Sequence, residues 1–303
     1  MNVSKVGIVI LNYNDYLNTL RLVNTISMYK SIDHVVVVDN CSTNDSYRRL
    51  KAAQNQYWDL IQTSVNNGYA SGNNVGIRYL TDKYKVDIIG IANPDVYFDE
   101  NLVEIIKDDF NRHIEYAILT GVQKGIRGEI HQHAFWKEMT IGRLFLSNFR
   151  ILNKFNDTMQ NFVEQNIAQH MDVFPVSTVE GCLFFIRAFD MKKIGSFDEG
   201  TFLYMEEDIL TKRIKKLGKL VGIEPKVSFI HAHSTSVNKA LSYFKKIKIS
   251  FDSKKYFLNQ YLTKSKFWNI LFNLSIAVAW IEQIFLLYPY FRFKTFIRGK
   301  NGQ

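Results

Sequence analysis

The sequence predicts an α/β fold: a Rossmann-like, mostly parallel central sheet with helices on its faces. Apolar runs of strand length occupy residues 5–11, 34–38 and 88–92, and each passes directly into polar residues. Segments with apolar residues at helical spacing lie between these runs. Buried strands that alternate with helices form βαβ units, in which successive strands lie parallel in one sheet.

The other elements follow from the same patterns. We predict helices over residues 15–29, 46–56, 101–112 and 206–217, a further helix that opens within 66–76 and ends near 83, and strands near 60–63, 117–122, 178–187 and 219–230, the last one short. The interval from Lys124 to about Val173 is polar and aromatic-rich without a clear period. We interpret it as a mixed insertion or lid that contacts a second substrate.

Length and composition describe an ordinary globular protein. The chain has 303 residues, of which 47% are hydrophobic and 22% are charged, so it is long enough to bury a substantial core. Its two cysteines, Cys41 and Cys182, lack the spacing of a metal motif, which predicts no disulfide framework and a reducing compartment. The apolar run near the N-terminus is too short for a signal peptide, so we expect a cytoplasmic protein.

The net charge of +9 is concentrated near the C-terminus, where twelve Lys and Arg residues against two acids follow Asn238. These basic residues surround an apolar segment, Phe267 to Phe291. A nucleic-acid-binding protein more often has its basic residues on the folded domain, so the sequence indicates a membrane surface and no nucleic acid. We therefore predict a domain over residues 1–237, with halves 1–100 and 101–237, and a basic, apolar helical extension over 238–303.

Polar side chains follow four of the predicted strands. They are Asn12, Tyr13 and Asn14 after the first, Asp39 after the second, Asn67 and Gly68 after the third, and Asn93 and Asp95 after the fourth. Ligands of open α/β sheets bind outside the carboxyl ends of the strands. Because neither a dinucleotide fingerprint nor a P-loop is present, the pattern favours a nucleotide other than a dinucleotide.

Asp95 is the strongest single candidate for a site residue. The apolar strand ends at Asn93-Pro94, because proline lacks the N–H that a central strand needs. A carboxylate at that position is placed to bind a divalent cation together with a diphosphate. The alternative is a plain turn, in which Asn, Pro and Asp are common.

The stretch from Asn66 to Gly76 contains Gly68 and Asn73 and opens a helix. Glycine lets a backbone approach a ligand closely, and helix N-terminal N–H groups favour anions. A capped, flexible loop is the alternative interpretation.

Three consecutive acids, Glu206, Glu207 and Asp208, begin the helix that ends at Gly218. An apolar segment precedes them and is expected to bury part of the cluster, which raises carboxylate basicity and suits a general base. The alternative is that the acids only complement the helix dipole. His231 and His233 end the last strand and can complete a metal site, whereas His131 and His133 are predicted to be surface residues.

In their order these motifs resemble the family 2 glycosyltransferases of the GT-A fold, in the branch that includes bacterial rhamnosyltransferases and other surface-polysaccharide enzymes. The resemblance rests on IVILNYN, VVVVDNCSTND, NNGYASGNNVGI, ANPDV, GSFDEGTFLYMEEDIL and FIHAHSTS, and covers about Val6 to Val237. It implies an inverting, metal-dependent hexosyl or rhamnosyl transferase of capsule or similar polysaccharide synthesis. The implied donor is dTDP-rhamnose or a UDP-sugar, and the implied acceptor is a saccharide, often lipid-linked.

The resemblance also implies residue roles. Asp39 would contact the nucleoside, Asp95 would bind Mg²⁺ or Mn²⁺ with the donor diphosphate, and His231 would approach that metal. The donor-binding set would be Asn12, Tyr13, Asn14, Asp39, Asn67, Gly68, Asn73, Asn93 and Asp95. Asn93 replaces the first acid of the usual Asp-x-Asp motif. Register on the family pattern favours Glu207 as the base, residue type favours Asp208, and Glu206 is third.

Two further alternatives remain at this point. The missing acid at Asn93 allows a catalytically inactive sugar-nucleotide-binding or scaffold protein of the same pathway. The segment from Phe267 is interrupted by Asn269, Asn273, Glu282 and Gln283, so we expect an interfacial helix at the inner face of the cell membrane rather than a spanning one. Packing on the catalytic domain or on a second copy of the chain is the competing possibility.

Overall fold

The computed structural model describes residues 4–150, 158–232 and 242–289. The predicted site residue His233 and the basic residues Arg292, Lys294, Arg298 and Lys300 lie outside these ranges. The chain divides into two compact units: residues 1–138 with 158–253, and residues 139–157 with 254–303.

The first unit contains the strands. They are β1 (Val6–Asn12), β2 (His34–Asp39), β3 (Asp59–Gln62), β4 (Ile88–Ala92), β5 (Val96–Tyr97), β6 (Tyr116–Lys124), β7 (Phe135–Trp136), β8 (Phe174–Val176), β9 (Thr178–Val179), β10 (Leu183–Arg187) and β11 (Leu220–His231). Its helices are α1 (Tyr16–Ile26), α2 (Ser46–Ala53), α3 (Tyr69–Tyr79), α4 (Glu100–Arg112), α6 (Thr158–Gln169), α7 (Ala188–Lys193), α8 (Glu206–Lys216) and most of α9 (Tyr243–Phe257). Helix α5 (Ile141–Leu146) and helix α10 (Lys266–Ile281) belong to the second unit.

The main sheet is mixed, with the order β3-β2-β1-β4-β10-β6-β11-β5 and with β8 beside β11. Strands β3, β2, β1 and β4 are parallel to one another, as the sequence predicts. Strand β10 lies antiparallel between β4 and β6, whereas β11 is parallel to β6 and antiparallel to β5 and β8. The expectation of a mostly parallel sheet therefore holds for its first half only.

The parallel half is covered on both faces, which explains its continuous apolar runs. Ile8 and Ile10 of β1 belong to one hydrophobic core, with residues of α1, and Val9 between them belongs to the other, with Ile77 of α3. Successive side chains of a strand point to opposite faces. Because both faces are covered by apolar residues here, the side chains on both sides of each strand are apolar. The alternation of polar and apolar residues that is typical of a half-exposed strand is therefore absent.

Three predicted elements differ from the structure. The predicted strand over 178–187 is interrupted at Glu180, Gly181 and Cys182 and forms the two strands β9 and β10. The final strand β11 is 12 residues long rather than short, with an irregular register between Glu224 and Ser228. The interval 124–173 contains β7, which pairs with β9 in a separate two-stranded sheet, and the helices α5 and α6.

The second unit is built around a long apolar helix. Helical structure continues from α10 to Leu287, and an 18-residue window of this 22-residue segment has a mean hydropathy of 1.9, so by length and composition it can cross a membrane. The ring of Phe145 in α5 packs edge-on against Phe272 of α10. The backbone N–H of Arg150 donates to the Glu282 carboxylate at 3.2 Å, so this acid has a polar partner within the unit.

Candidate active site

Asp39 ends β2 directly beside Asn12 at the end of β1, because the two strands pair in register there. The Asn12 side-chain amide donates to the Asp39 carboxylate at 2.7 Å, and the Ser42 hydroxyl donates to the same oxygen at 2.6 Å. The Ser42 backbone N–H donates to the other oxygen at 3.1 Å. Asp39 is fully buried, so these donors, all from adjacent strand ends, fix its orientation.

Asn14 connects the loop after β1 to the loop after β2. Its backbone has a left-handed φ of 57°, and its side-chain oxygen Oδ1 accepts from the backbone N–H groups of Thr43 at 2.8 Å and Asn44 at 3.2 Å. Tyr13 lies between Asn12 and Asn14 and is half-buried. The structure thus brings four of the predicted donor-binding residues to one edge of the sheet.

Position 68 requires glycine because the backbone of Phe202 lies against it. Its φ is +97°, and a Cβ there would collide with the backbone carbonyl of Phe202. The N–H of Tyr69 at the start of α3 donates to that same carbonyl at 2.9 Å. This glycine therefore accommodates the Phe202 backbone. Asn67 is exposed, and the side-chain amide of buried Asn73 donates to Tyr69 of its own helix.

Asp95 and His231 meet at the edge where β4 ends. The short strand β5 after Asp95 pairs with the end of β11, with Val96 opposite His231, and the N–H of Ala232 donates to the Asp95 carbonyl at 3.0 Å. As a result His231 Nε2 lies 3.4 Å from Asp95 Oδ1, and both side chains are at most 10% exposed. Asn93 lies two residues before Asp95 and is half-buried, and its N–H donates to the Cys182 carbonyl at 2.8 Å.

Three residues that the sequence did not indicate as site residues surround the other side of this imidazole. Gln123 Nε2 lies 3.3 Å from His231 Nδ1, and Glu180 Oε1 lies 3.9 Å from the same atom. One donor atom from each of Glu180, Cys182 and His231 lies within 4.8 Å of the other two. The sequence contains one signal that could have indicated Glu180 and Cys182 as site residues. An acid followed by glycine at positions 180 and 181 interrupts an otherwise apolar run.

Cys182 is a thiol in a buried, acidic environment. Burial raises its pKa well above the usual range, and the negative charges of Glu180 and Asp95 raise it further. The same acidic neighbours make this region attractive for a cation. His131 is half-buried with Nδ1 3.7 Å from Glu180 Oε2, so the prediction of a surface residue is wrong for His131, whereas His133 is exposed.

The three acids occupy the first turn of α8 in a largely buried setting. The two residues before them, Tyr204 and Met205, have left-handed φ angles of 74° and 70°, which turn the chain sharply into the helix. Burial and the neighbouring charge of Asp208 raise the pKa of Glu206 to about 7. Burial, followed by the charge of Glu206, raises the pKa of Glu207 well above its usual range.

Asp208 is the acid of this triplet that receives a hydrogen bond from an indole. Burial raises its pKa to about 6, opposed by the N–H of Trp136, which donates to Asp208 Oδ1 at 3.1 Å, and by the charge of Lys212. Trp136 belongs to β7, in the interval predicted as an insertion. That insertion therefore contributes a side chain to the predicted base cluster.

Gly181 joins the acid triplet to the Asp95 and His231 pair. Its N–H donates to Glu207 Oε1 at 3.2 Å, and its carbonyl accepts from the Tyr69 hydroxyl at 2.6 Å. A Cβ at this position would lie 2.7 Å from the Glu207 oxygen, so a larger residue would displace the acid. Glu180 and Cys182 flank this peptide, and the predicted base and metal residues consequently converge on one three-residue segment.

Comparisons with known proteins concern the family and the fold. A sequence model of the family described as glycosyl transferase family 2 matches residues 7–178. The matched region includes Asp39, Asp95 and the strands that position them, and it ends before the acid triplet.

Two characterised proteins are similar in sequence. The chain is 25% identical over 227 residues to the low-salt glycan biosynthesis hexosyltransferase Agl10 of Haloferax volcanii, covering 74% of this chain and 66% of the relative. It is 22% identical over 168 residues to the rhamnosyltransferase WbbL of Escherichia coli K12, covering 54% of this chain and 60% of the relative. The match thus spans less than two thirds of each relative's length.

A solved structure shares the fold. The mannosyltransferase PcManGT from Pyrobaculum calidifontis, in complex with GDP-Man and Mn²⁺, superposes with a TM-score of 0.52 at 14% identity. The likeness covers 92% of this chain and 74% of that one. At this identity it concerns the fold alone.

Proposed function

The chain belongs to glycosyl transferase family 2, and from this premise we propose that it transfers a sugar from a nucleoside diphosphate to a saccharide hydroxyl with inversion. One observation carries the proposal: the segment 180–182 contacts Glu207, a carboxyl group with a raised pKa, through the Gly181 N–H, and its Glu180 carboxylate lies 3.9 Å from His231, the partner of Asp95. A proton acceptor beside a group suited to a diphosphate is what glycosyl transfer needs.

The reaction is a single displacement. The acceptor hydroxyl oxygen forms a bond to the anomeric carbon, while the bond from that carbon to the diphosphate oxygen breaks. The hydroxyl proton passes to a carboxylate of the triplet, and the nucleoside diphosphate leaves with the bonding electrons. We assign Glu207 as the base because its hydrogen bond to Gly181 fixes its orientation, with Asp208 as the next candidate.

The residues at Asp95 fit a divalent cation. A carboxylate oxygen and an imidazole nitrogen 3.4 Å apart are donors that Mg²⁺ and Mn²⁺ accept in proteins. We propose that Asp95 and His231 hold such an ion, with Asn93 beside them in place of an acid. The ion supplies charge neutralisation for the departing diphosphate when it is bound.

We propose that the donor is dTDP-rhamnose or a UDP-sugar, bound at the edge that contains Asn12 and Asp39. The similarity to a rhamnosyltransferase and to a hexosyltransferase of glycan synthesis supports this choice. The acceptor would be a saccharide carried on a lipid in cell-surface polysaccharide synthesis.

A donor panel tests the proposed function. The purified full chain is incubated with individual nucleotide sugars, Mn²⁺ and lipid-linked or free saccharide acceptors, and released nucleoside diphosphate is measured. We expect release that requires one donor class, an acceptor and the metal, and that Glu207→Gln suppresses. Donor binding without release for any acceptor would instead support a sugar-nucleotide-binding protein of the same pathway.

We also propose that the second unit docks on an anionic membrane at the cytoplasmic face. Helix α10 and its continuation expose a row of large apolar side chains at helical spacing: Phe267, Ile270, Leu274, Val278, Ile281 and Phe285. Lys264 and Lys266 precede this row in the sequence, and Arg292, Lys294, Arg298 and Lys300 follow it. An apolar helix face bordered by Lys and Arg matches the interface of a bilayer with anionic headgroups.

Vesicle flotation tests the docking proposal. The full chain should float with anionic vesicles, less with neutral ones, and should dissociate at high salt. Ile270→Glu with Leu274→Glu should abolish flotation, while Ile114→Glu, at a position that is 72% exposed in the other unit, should leave it unchanged. Resistance to alkaline extraction would indicate a spanning helix, and dimers without vesicles would indicate a second copy as the occupant.

A further inference from the structure

We propose that Gln123 sets the tautomer of His231, and that its side-chain amide rotates when a divalent cation binds at Asp95. The proposal rests on the proposed role of Asp95 and His231 as metal-binding residues. It assigns Gln123 as a positioning residue, which acts on the ion only through the imidazole.

Gln123 is buried beside the His231 ring. It lies near the end of β6, opposite Phe229 of the neighbouring strand β11, which ends at His231. Its side chain is 1% exposed, with Nε2 3.3 Å from His231 Nδ1. Its Oε1 is buried and has no hydrogen-bond partner in the described part of the chain. A buried oxygen without a partner is costly, and no hydrogen bond from the described residues to this oxygen opposes rotation of the amide.

The observed orientation fixes one tautomer. A neutral imidazole has one nitrogen that donates and one that accepts. If the Gln123 amide nitrogen donates to Nδ1, the proton of His231 is on Nε2, where it faces Asp95 Oδ1 at 3.4 Å. In this tautomer Nε2 has no lone pair for a cation, so His231 cannot be a metal ligand on the Asp95 side.

Rotation of the amide by 180° produces the opposite tautomer at no change in volume. The side-chain oxygen then takes the position of the nitrogen and accepts a hydrogen bond from Nδ1–H. The proton count of the imidazole is unchanged, since one proton leaves Nε2 and one arrives at Nδ1 by exchange with solvent. Nε2 now presents its lone pair beside Asp95, which is the arrangement that a cation requires.

The surrounding charges explain why a cation drives this change. Asp95 lies on the Nε2 side and favours a proton there, whereas Glu180 Oε1 lies 3.9 Å from Nδ1 and favours a proton on that side. His131 Nδ1 lies 3.7 Å from the same Glu180 carboxylate. In the neutral ring, which has one N–H, the two acids therefore favour protonation of opposite nitrogens. A cation at Asp95 cancels the attraction on the Nε2 side, and the proton then moves toward Glu180 and Gln123.

Imidazole nitrogen shifts test the proposal directly. The full chain is labelled with ¹⁵N-histidine, and the His231 resonances are assigned by their loss in His231→Asn. We expect the Nε2–H tautomer without metal and the Nδ1–H tautomer with diamagnetic Mg²⁺. Gln123→Glu, whose carboxylate only accepts, should give the Nδ1–H tautomer even without metal.

Mn²⁺ affinity, measured by electron paramagnetic resonance with His231→Asn as the baseline, is the second readout. Gln123→Met removes both hydrogen-bonding atoms at similar volume and should weaken binding about 10-fold, the scale of outer-shell partners of metal ligands. Thr120→Val is the matched control, because it removes a buried hydrogen bond of 2.7 Å on the same strand, from the hydroxyl to the Leu183 carbonyl. It should lower thermal stability to a similar extent and leave Mn²⁺ affinity unchanged.

The outcomes separate this proposal from the proposed function. An Nδ1–H tautomer in the metal-free wild type, or wild-type Mn²⁺ affinity in Gln123→Met, would overturn the role of Gln123. If the wild type binds no Mn²⁺ at this site, the proposed metal role fails. The tautomer of metal-free Gln123→Glu still decides whether Gln123 controls His231.

Discussion

The two ends of the predicted site differ in how their carboxyl groups are surrounded. At the ends of β1 and β2, both oxygens of Asp39 accept short hydrogen bonds from Asn12 and Ser42. In the first turn of α8, Glu206 is buried and Glu207 half-buried beside other acids, and the pKa values of both are raised. A carboxylate with satisfied hydrogen bonds is a fixed recognition group, whereas a carboxyl group with a raised pKa exchanges protons near neutral pH.

This difference implies that the two halves of the site have different roles. The first half, at the ends of β1 and β2 with Asp39, is expected to bind and orient, and the second half, with Asp95 after β4 and the acid triplet of α8, is expected to perform the chemistry. Substitutions in the first half should therefore raise KM, while those in the second should lower kcat. Four predictions test this division, from the largest expected effect to the smallest.

Asp95→Ala should abolish metal-dependent transfer. It removes the one carboxylate that follows β4, at the position where Asn93 supplies no second acid. We expect turnover to fall roughly 10³-fold or more, the scale of losing a group that stabilises developing charge, with little change in Tm. Near-normal turnover that still requires Mn²⁺ would show that the ion is held elsewhere, for example at Glu180.

Glu207→Gln should lower kcat by roughly 10²-fold or more, the scale of general-base catalysis, and leave donor binding intact. Asp208→Asn is the matched comparison, since it changes the neighbouring acid in the same way. The wild-type rate should fall as pH decreases, because the base must be ionised and its pKa is raised. If both amide variants turn over normally, the base is not in this pair and Glu206 becomes the candidate.

Asp39→Asn should act mainly on the donor. The amide keeps the shape of the side chain but removes the charge and places an NH₂ group against the Asn12 or Ser42 donors. We expect KM for the nucleotide sugar to rise about 10-fold, as for the loss of one charged hydrogen bond, with kcat changed much less. A fall in kcat at unchanged KM would contradict the division between the two halves.

The sequence identifies the residues at the ends of the parallel strands better than the residues that surround His231. Strands β1, β2 and β4 are buried on both faces, so each gives a continuous apolar run, and the residue after each run necessarily lies at the edge. Asp39 and Asp95 could be predicted from this local pattern. Nothing local shows that β10 is antiparallel, because an apolar run has no direction.

The residues around His231 depend on long-range pairing and could not be predicted. Gln123 and Glu180 reach the imidazole only because β6 and β11 are neighbours and because the chain breaks between β9 and β10. Gly68 shows a different limit of the sequence. A glycine at this position indicates that the backbone has an unusual conformation or a close neighbour, but only the structure shows that the neighbour is the Phe202 backbone. A glycine indicates a close approach without indicating what approaches.

The smallest predicted effect is on stability, and it tests the buried acids without catalysis. Burial raises the pKa of Glu206 from 4.5 to about 7, so between these values the folded protein binds more protons than the unfolded chain. Its contribution to the free energy of unfolding is therefore fully present below pH 4.5 and is lost as pH rises toward 7. Glu206→Gln should flatten this dependence and raise Tm at pH 7.5 by several degrees, since about 1 kcal/mol corresponds to roughly 2–4 °C in a domain of this size.

Glu199→Gln, at an acid on the preceding loop with a half-exposed side chain, is the control and should leave the pH dependence unchanged. Parallel Tm curves for wild type and Glu206→Gln from pH 4.5 to 7.5 would show that Glu206 is ionised in the folded protein throughout, and the contrast with Asp39 would then rest on Glu207 alone.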